Sequence, residues 1–84
     1  MKARDIVKEI MTRKELGNAE FARVLNITPA ALWDRLNTKK AKDIPVSTMN
    51  EMLTALGYKI AIIPVDTPVV EDGFIVGGKE EENA

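Results

Sequence analysis

The chain has 84 residues, of which 45% are hydrophobic, and its 12 basic and 13 acidic side chains give a net charge of −1. This length supports one small globular domain with one core. The chain contains neither cysteine nor histidine, which excludes disulfides, thiol nucleophiles, imidazole bases and the common zinc sites. Paired carboxylates and a glycine-rich phosphate loop are also absent from the sequence. We therefore expect a binding protein, with no catalytic residues, no metal and no cofactor.

The charges are distributed unevenly along the chain. Residues 1–70 carry 11 basic and 8 acidic side chains, a balance of +3, whereas residues 71–84 carry five acidic side chains and one lysine. A basic body is typical of a surface that binds phosphates, although solvated helices show similar charge. The longest apolar run, residues 60–65, is too short to span a bilayer, and the N-terminal residues lack the apolar region of a secretion signal. We expect a cytoplasmic protein that has no contact with a membrane.

The spacing of apolar residues predicts two helices in the first 25 residues. Ile6, Val7 and Ile10 fall on one face of a helix over residues 3–14. Gly17 is expected to end this helix. Asn18 is a favourable N-cap for a short second helix over residues 19–25.

Two further helices are predicted before residue 57. Thr28 is expected to cap a third helix, with Pro29 in its first position, where the missing N–H costs nothing. Ser47 or Thr48 opens a fourth helix, and Gly57 ends it. The lysine-rich residues between the third and fourth helices are predicted to form a polar loop.

The pattern changes from helix to strand after the fourth helix. Residues 58–63 are rich in β-branched side chains that partly alternate, and Pro64 restricts them to the edge of a sheet. Asp72 and Gly73 predict a turn before residues 74–76. The expected organisation is a helical domain over residues 1–57, a β arm over residues 58–76 and a disordered acidic tail over residues 77–84.

The second and third helices, with a break of about three residues between them, match a helix-turn-helix arrangement. Asn26 stands at the turn, where a left-handed backbone is needed, and asparagine tolerates that backbone best after glycine. Ala22 is small where the helices cross, and Ile27 is expected to fill the gap between them. The helix that follows Thr28 begins with free N–H groups that point outward, where a DNA phosphate can bind.

Residues 18–37 resemble the Cro and Xre family of phage-type repressors, and the likeness extends over about residues 4–57. The positions that match the apolar, small and capping positions of the family's motif are Phe21, Ala22, Leu25, Ile27, Thr28 and Leu32. The resemblance implies a mainly α fold, a four-helix lambda-repressor-like domain with a C-terminal strand or hairpin, which binds the major groove of double-stranded DNA.

The chain departs from the family at two positions. Asn26 replaces a glycine, and Asn18 or Ala19 holds the place of the glutamine that touches a phosphate. The base-reading positions that the resemblance implies are Pro29, Ala30 and Asp34.

A helical wheel with Leu32 pointing inward places four residues on the outer half of the third helix: Ala30, Trp33, Asp34 and Asn37. Ala30 is suited to contact a thymine methyl group, Asp34 can accept a hydrogen bond from cytosine, and the nearby basic residues are suited to phosphates. Trp33 either stacks against DNA or packs within the domain, and the lysines have the alternative of being ordinary solvated side chains. The candidate DNA-binding residues are Asn18, Thr28, Pro29, Ala30, Trp33, Asp34, Arg35, Asn37, Lys39, Lys40 and Lys42.

An isolated strand leaves its backbone donors and acceptors unpaired, so the β arm needs a partner. One solution pairs residues 58–65 with the same residues of a second copy, which places two recognition helices at successive major grooves. The alternative is a hairpin within one chain, residues 60–63 against 74–76. The candidate dimerisation residues are Tyr58, Ile60, Ile62 and Ile63.

Two functions fit this sequence. The first is a homodimeric, sequence-specific transcriptional regulator of phage or mobile-element type, which represses by occupying a palindromic operator. The alternative is a protein-interaction module, such as an antitoxin-like or anti-repressor adaptor, in which the helix-turn-helix is scaffold. Binding to DNA weakens steeply with salt, whereas binding of a partner strand does not, so salt dependence separates the two.

Overall fold

Four helices account for most of residues 1–37 and 43–77, the parts of the chain that the computed structural model describes. The helices are α1 (Ala3–Arg13), α2 (Asn18–Leu25), α3 (Pro29–Asn37) and α4 (Val46–Ala55). Each begins within two residues of its predicted start, so the mainly α fold with four helices is confirmed. None of the helices in the described ranges is long and apolar enough to cross a membrane.

The core is built on α1, which packs against both α3 and α4. α2 also contacts α3 and α4, whereas no Cα atom of α3 comes within 8 Å of a Cα atom of α4. Phe21 of α2 has no exposed surface and is among the largest fully buried side chains. The other buried residues are all apolar: Ala3, Ile6, Val7, Ile10, Met11, Ala22, Leu32, Leu36, Met49, Met52, Leu53 and Leu56.

Three of the helices end in the same way, with one residue in the left-handed backbone conformation followed by an apolar residue. The left-handed residues are Glu15 (φ 53°) after α1, Asn26 (φ 59°) after α2 and Gly57 (φ 85°) after α4. The N–H of the next residue donates to a carbonyl five residues back, in the bonds Leu16 to Met11 (2.9 Å), Ile27 to Ala22 (3.0 Å) and Tyr58 to Leu53 (2.8 Å). This is the Schellman motif. Each of the three apolar residues is half-buried against the core, so a helix end is also a packing contact.

The end of α1 departs from the prediction, because Glu15 rather than Gly17 turns the chain. A side chain in the left-handed region costs roughly 1 kcal/mol compared with glycine. We therefore expect Glu15→Gly to raise the free energy of unfolding by about 0.5–1 kcal/mol in urea titrations. Lys14→Gly is the matched control, since Lys14 has φ −91°, and it should lower stability. A Glu15→Gly variant less stable than the parent would contradict the argument.

The first turn of α1 is capped by a residue that lies 40 positions away in the sequence. Lys2, at the N-cap position, makes no capping hydrogen bond through its side chain. The carboxylate of Asp43 instead accepts hydrogen bonds from the backbone N–H groups of Ala3 and Arg4, the latter at 3.0 Å, and from Ile44 at 2.9 Å. Asp43 therefore joins the start of α1 to the segment that leads into α4.

The cap makes stability depend on pH. Burial raises the pKa of Asp43, but the hydrogen bonds from Arg4, Ala3 and Ile44, with the charge of Arg4, lower it below its usual value of 3.8. Because the folded-state pKa lies below the unfolded one, the stabilisation is complete above about pH 4 and is lost as the pH falls through the folded-state pKa. We expect Asp43→Ala to cost about 1–2 kcal/mol at pH 7 and less at pH 3, measured by urea unfolding. The exposed Asp66, replaced by alanine, should change stability little at either pH.

The helix starts also differ in detail from the prediction. α4 begins two residues earlier than Thr48, with Pro45 at its N-cap. α2 has Gly17 at its N-cap, so the capping role predicted for Asn18 was wrong. The side-chain amide of Asn18 donates instead to the carbonyl oxygen of Pro29 at 3.1 Å.

The segment after α4 contains no strand within residues 58–77. Tyr58 and Phe74 form a tilted aromatic pair with ring centroids 6.4 Å apart, and the guanidinium of Arg13 lies 4.8 Å from the Phe74 ring centre. The predicted turn at Gly73 is present, because its N–H donates to the Val70 carbonyl at 2.9 Å. The segment is therefore attached to α1 through side chains, without the pairing of residues 60–63 with 74–76 that a hairpin needs.

The segment ends beside the start of the chain. The Met1 ammonium group donates to the carbonyl oxygens of Ile75 and Gly77, both at 3.1 Å, and the Gly77 N–H donates to the Met1 carbonyl at 2.7 Å. Residues 58–77 are consequently held at both ends, by the helix end at Tyr58 and by Met1. The remainder of the predicted acidic tail, residues 78–84, lies outside the described residues.

Candidate nucleic-acid interface

The pair α2 and α3 forms a fixed unit, joined by residues 26–28. Asn26 has φ 59° and ψ 42°, the left-handed conformation predicted for it. The Thr28 hydroxyl accepts a hydrogen bond from the N–H of Ala31 at 3.1 Å, which confirms its capping role. The bond from Asn18 to Pro29 links the first residues of the two helices. The orientation of α3 relative to α2 is thus fixed at the turn and again at their first residues.

α3 presents one buried and one exposed face. Leu32 and Leu36 are buried, whereas Pro29, Ala30, Trp33 and Asp34 are exposed. Trp33, the chain's one tryptophan, has 57% of its surface exposed, so of the two alternatives the packed one does not apply. Four sequence-predicted contact residues therefore lie together on an open surface.

Asn37 and Arg35 are placed differently from these four residues. The Asn37 amide donates to the Trp33 carbonyl at 3.0 Å, and its oxygen accepts from the Lys8 ammonium at 2.9 Å. Arg35 is half-buried, and its Nη1 atom is buried without a hydrogen-bond partner in the described parts of the chain. A buried guanidinium N–H without an acceptor is energetically costly.

The described part of this surface carries little net charge. Asp34 is the one charged residue on the exposed face of α3, and Arg23 is exposed on α2. The predicted phosphate contacts Lys39, Lys40 and Lys42 lie outside the described residues. They lie two to five residues after Asn37 in the sequence, and Asn37 is hydrogen-bonded to Lys8 of α1.

Two residues near the surface were missed by sequence reasoning. Val24 is largely exposed on α2, next to Arg23, and a helical wheel of α2 would have placed it outside, since Phe21 and Ala22 define the buried face. The contact of Lys8 with Asn37 joins residues 29 positions apart, and no local pattern predicts it.

The four predicted dimerisation residues separate into two groups. Tyr58 and Ile60 are half-buried against the protein's own core. Ile62 is 99% exposed, and half of the Ile63 surface is exposed. Ile62 is therefore fully available to a partner, and Ile63 is partly available.

No group of three acidic residues that could hold a metal ion occurs within residues 1–37 and 43–77. No protein-family model matches the chain, and no curated protein or solved structure is similar enough to be matched with it.

Proposed function

We propose that the chain is a transcriptional regulator that binds double-stranded DNA as a homodimer and represses by occupying a two-fold symmetric site. The helical domain over residues 1–57 acts as a lambda-repressor-like helix-turn-helix domain, with α3 as its recognition helix. The activity needs neither metal nor cofactor, and it is not enzymatic.

One observation carries this proposal: the face of α3 formed by Pro29, Ala30, Trp33 and Asp34 is open, while the helix packs against α1 and α2. Leu32 and Leu36 are the buried residues of α3, and no Cα atom of α4 lies within 8 Å of this helix. A helix presented in this way fits the major groove, which is about 12 Å wide. Because the turn and the Asn18 to Pro29 bond fix its orientation, little conformational entropy is lost on docking.

The exposed residues have distinct roles in the proposed complex. Ala30 contacts a thymine methyl group, and Asp34 accepts a hydrogen bond from the cytosine amino group. Trp33 lies flat against the sugar-phosphate backbone or a base edge. The side chains of Arg35, Lys39, Lys40 and Lys42 supply phosphate contacts, which contribute most of the affinity.

The test is a titration of the purified protein with DNA. Sequences selected from a random pool are compared with unselected DNA at two salt concentrations. We expect the selected DNA to carry an inverted repeat, and the affinity to fall steeply as salt rises. Absence of binding to any DNA at low salt would rule out the function.

A protein-interaction module is the second candidate, because the segment after α4 carries many exposed aliphatic side chains. Ile62, Val65 and Val70 are mostly or fully exposed, and extended apolar patches of this kind mark protein contacts. Salt should change the affinity for a partner bound there by strand addition only slightly, whereas it should strongly weaken the binding of DNA. The same salt series therefore distinguishes the two functions.

A further inference from the structure

Residues 61–77, which we call the strap, make few packing contacts with the four helices. Residues 61–72 are all exposed. Of the apolar side chains in the strap, that of Phe74 is the one that packs against the core. Hydrogen bonds also join Met1 to the backbone of residues 75 and 77. The attachment of the strap therefore depends mainly on Phe74 and Met1.

The Phe74 ring contacts residues of α1 and of the chain that follows α4. Its centroid lies 6.4 Å from that of Tyr58, and the guanidinium of the exposed Arg13 lies 4.8 Å from its centre. An exposed cation over an aromatic face shifts an equilibrium by about two- to fivefold towards the contact. Because Arg13 belongs to α1, this contact favours the strap that is attached to the helices.

The turn before Phe74 is tight because residue 73 is a glycine. The N–H of Gly73 donates to the Val70 carbonyl at 2.9 Å. A Cβ atom at this position would lie 2.8 Å from Cγ1 of Val69 and 3.2 Å from the Val70 carbonyl oxygen, so these atoms would have to move apart. The turn that this glycine allows therefore positions the ring of the next residue.

We infer that the strap opens as a unit while the four helices stay folded, and that Phe74 is its latch. Segments with few buried apolar contacts open at a low free energy, whereas core helices open close to global unfolding. In the open form Phe74 is released together with the exposed aliphatic residues of the strap. The chain then has two forms that share the α2–α3 unit and differ in the apolar surface that they offer. This inference does not rest on the proposed function.

Hydrogen exchange in the unaltered protein tests the opening. The N–H of Gly77 donates to the Met1 carbonyl, so it exchanges when the strap leaves the start of the chain. Its opening constant should exceed that of the buried Ile10 in α1 at least about tenfold. It should also depend less on urea, because a local opening exposes less surface. Equal opening constants and equal urea dependence at the two residues would show that the strap opens only with the whole domain.

Cleavage by chymotrypsin after Phe74 tests the latch, because the ring must leave the protein to enter the apolar pocket of the protease. At low protease the rate follows the population of the open form. Arg13→Met removes the cation over the ring, so cleavage after Phe74 should become about two- to fivefold faster. The fully buried Phe21 should remain uncut over the same period. Cleavage at both sites at equal rates would contradict a local opening.

Arg23→Met is the matched control for Arg13→Met. Each arginine is the basic residue in the last turn of its helix, and both are exposed. Loss of the favourable charge at a helix end is therefore common to the two variants. Arg23→Met should leave cleavage after Phe74 unchanged within about 1.5-fold. Equal acceleration in the two variants would mean that the cation over the ring does not hold the strap.

A second set of variants removes the latch itself. Phe74→Ala should raise the opening constant measured at Gly77 at least about tenfold, since both the apolar packing and the contact with Arg13 are lost. Gly73→Ala retains the ring but strains the turn, and it should act in the same direction. Ile75→Ala, next to Phe74 but 59% exposed, should change the constant less than about twofold. Equal effects of Phe74→Ala and Ile75→Ala would overturn the inference.

These measurements use no DNA, so they separate the two proposals. A chain that binds DNA in a salt-dependent manner but shows no local opening retains the function and loses the strap. A chain that opens as expected but binds no DNA retains the strap and loses the function.

Discussion

Replacing Phe21 by alanine should remove about 3–5 kcal/mol from the free energy of unfolding, the largest effect of a single substitution that we expect. Phe21 is fully buried in α2, and α2 packs against both α3 and α4. Truncation leaves a cavity that helices joined by short connections cannot close. Since domains of this size are stable by only about 5–15 kcal/mol, the variant should be partly unfolded at moderate temperature. Urea titration followed by circular dichroism measures the change.

Val24→Ala is the matched control for this core substitution. Val24 lies three residues from Phe21 on the same helix but is largely exposed. Its truncation removes no buried contact, so the free energy of unfolding should change by less than about 0.5 kcal/mol. Similar losses for the two variants would mean that α2 is not held by its buried face.

Ala30→Glu should weaken DNA binding at least tenfold, or about 1.4 kcal/mol, without loss of stability. Ala30 is exposed on the outer face of α3, near its first turn. A carboxylate there is favourable to the helix, because the N-terminal end of a helix attracts negative charge. Against DNA the same carboxylate meets the phosphates, and it replaces the methyl contact that alanine would make. Fluorescence anisotropy with labelled DNA measures the change.

Thr54→Glu is the control for charge. Thr54 is exposed on α4, a helix with no Cα atom within 8 Å of α3. The substitution adds the same negative charge to the protein, so any loss of affinity from net charge alone appears in both variants. If the two variants lost affinity equally, α3 would not be the helix that faces DNA.

The α2–α3 unit was largely predictable from the sequence, since its determinants are local. Thr28 and Pro29 start α3 through the geometry of one helical turn, and Asn26 is tolerated where the backbone turns left-handed. The exposure of Ala30 and Asp34 follows from helical periodicity once Leu32 is taken as buried. Such features depend on neighbours a few residues apart.

The features that were missed depend on contacts between distant residues. Glu15 adopts an unfavourable backbone conformation because Leu16, the next residue, gains a place against the core. Asp43 caps α1 although it lies about 40 residues away, whereas N-cap sequence patterns include only the residues next to the helix start. In both cases tertiary packing outweighs a local preference of about 1 kcal/mol.

The segment after α4 shows why a strand pattern is insufficient to predict a strand. Residues 58–63 have the composition of a strand, but a strand exists only where a second one supplies its hydrogen bonds. In the single chain Tyr58 and Ile60 pack against the core. The Phe74 ring forms a tilted pair with Tyr58, and the Arg13 guanidinium lies over the Phe74 ring. Local sequence patterns do not show which of these contacts dominates, because the residues involved are far apart in the chain.

The exposed position of Trp33 has a practical consequence for spectroscopy. Trp33 is the one tryptophan of the chain, and it supplies nearly all of the fluorescence at wavelengths longer than the emission of Tyr58. Because more than half of the Trp33 surface is already exposed to water, its emission maximum should shift little when the helices unfold. Contact of α3 with a ligand would remove that water and shift or quench the emission. The natural chain thus carries an intrinsic, label-free fluorophore that reports on docking at α3 rather than on unfolding.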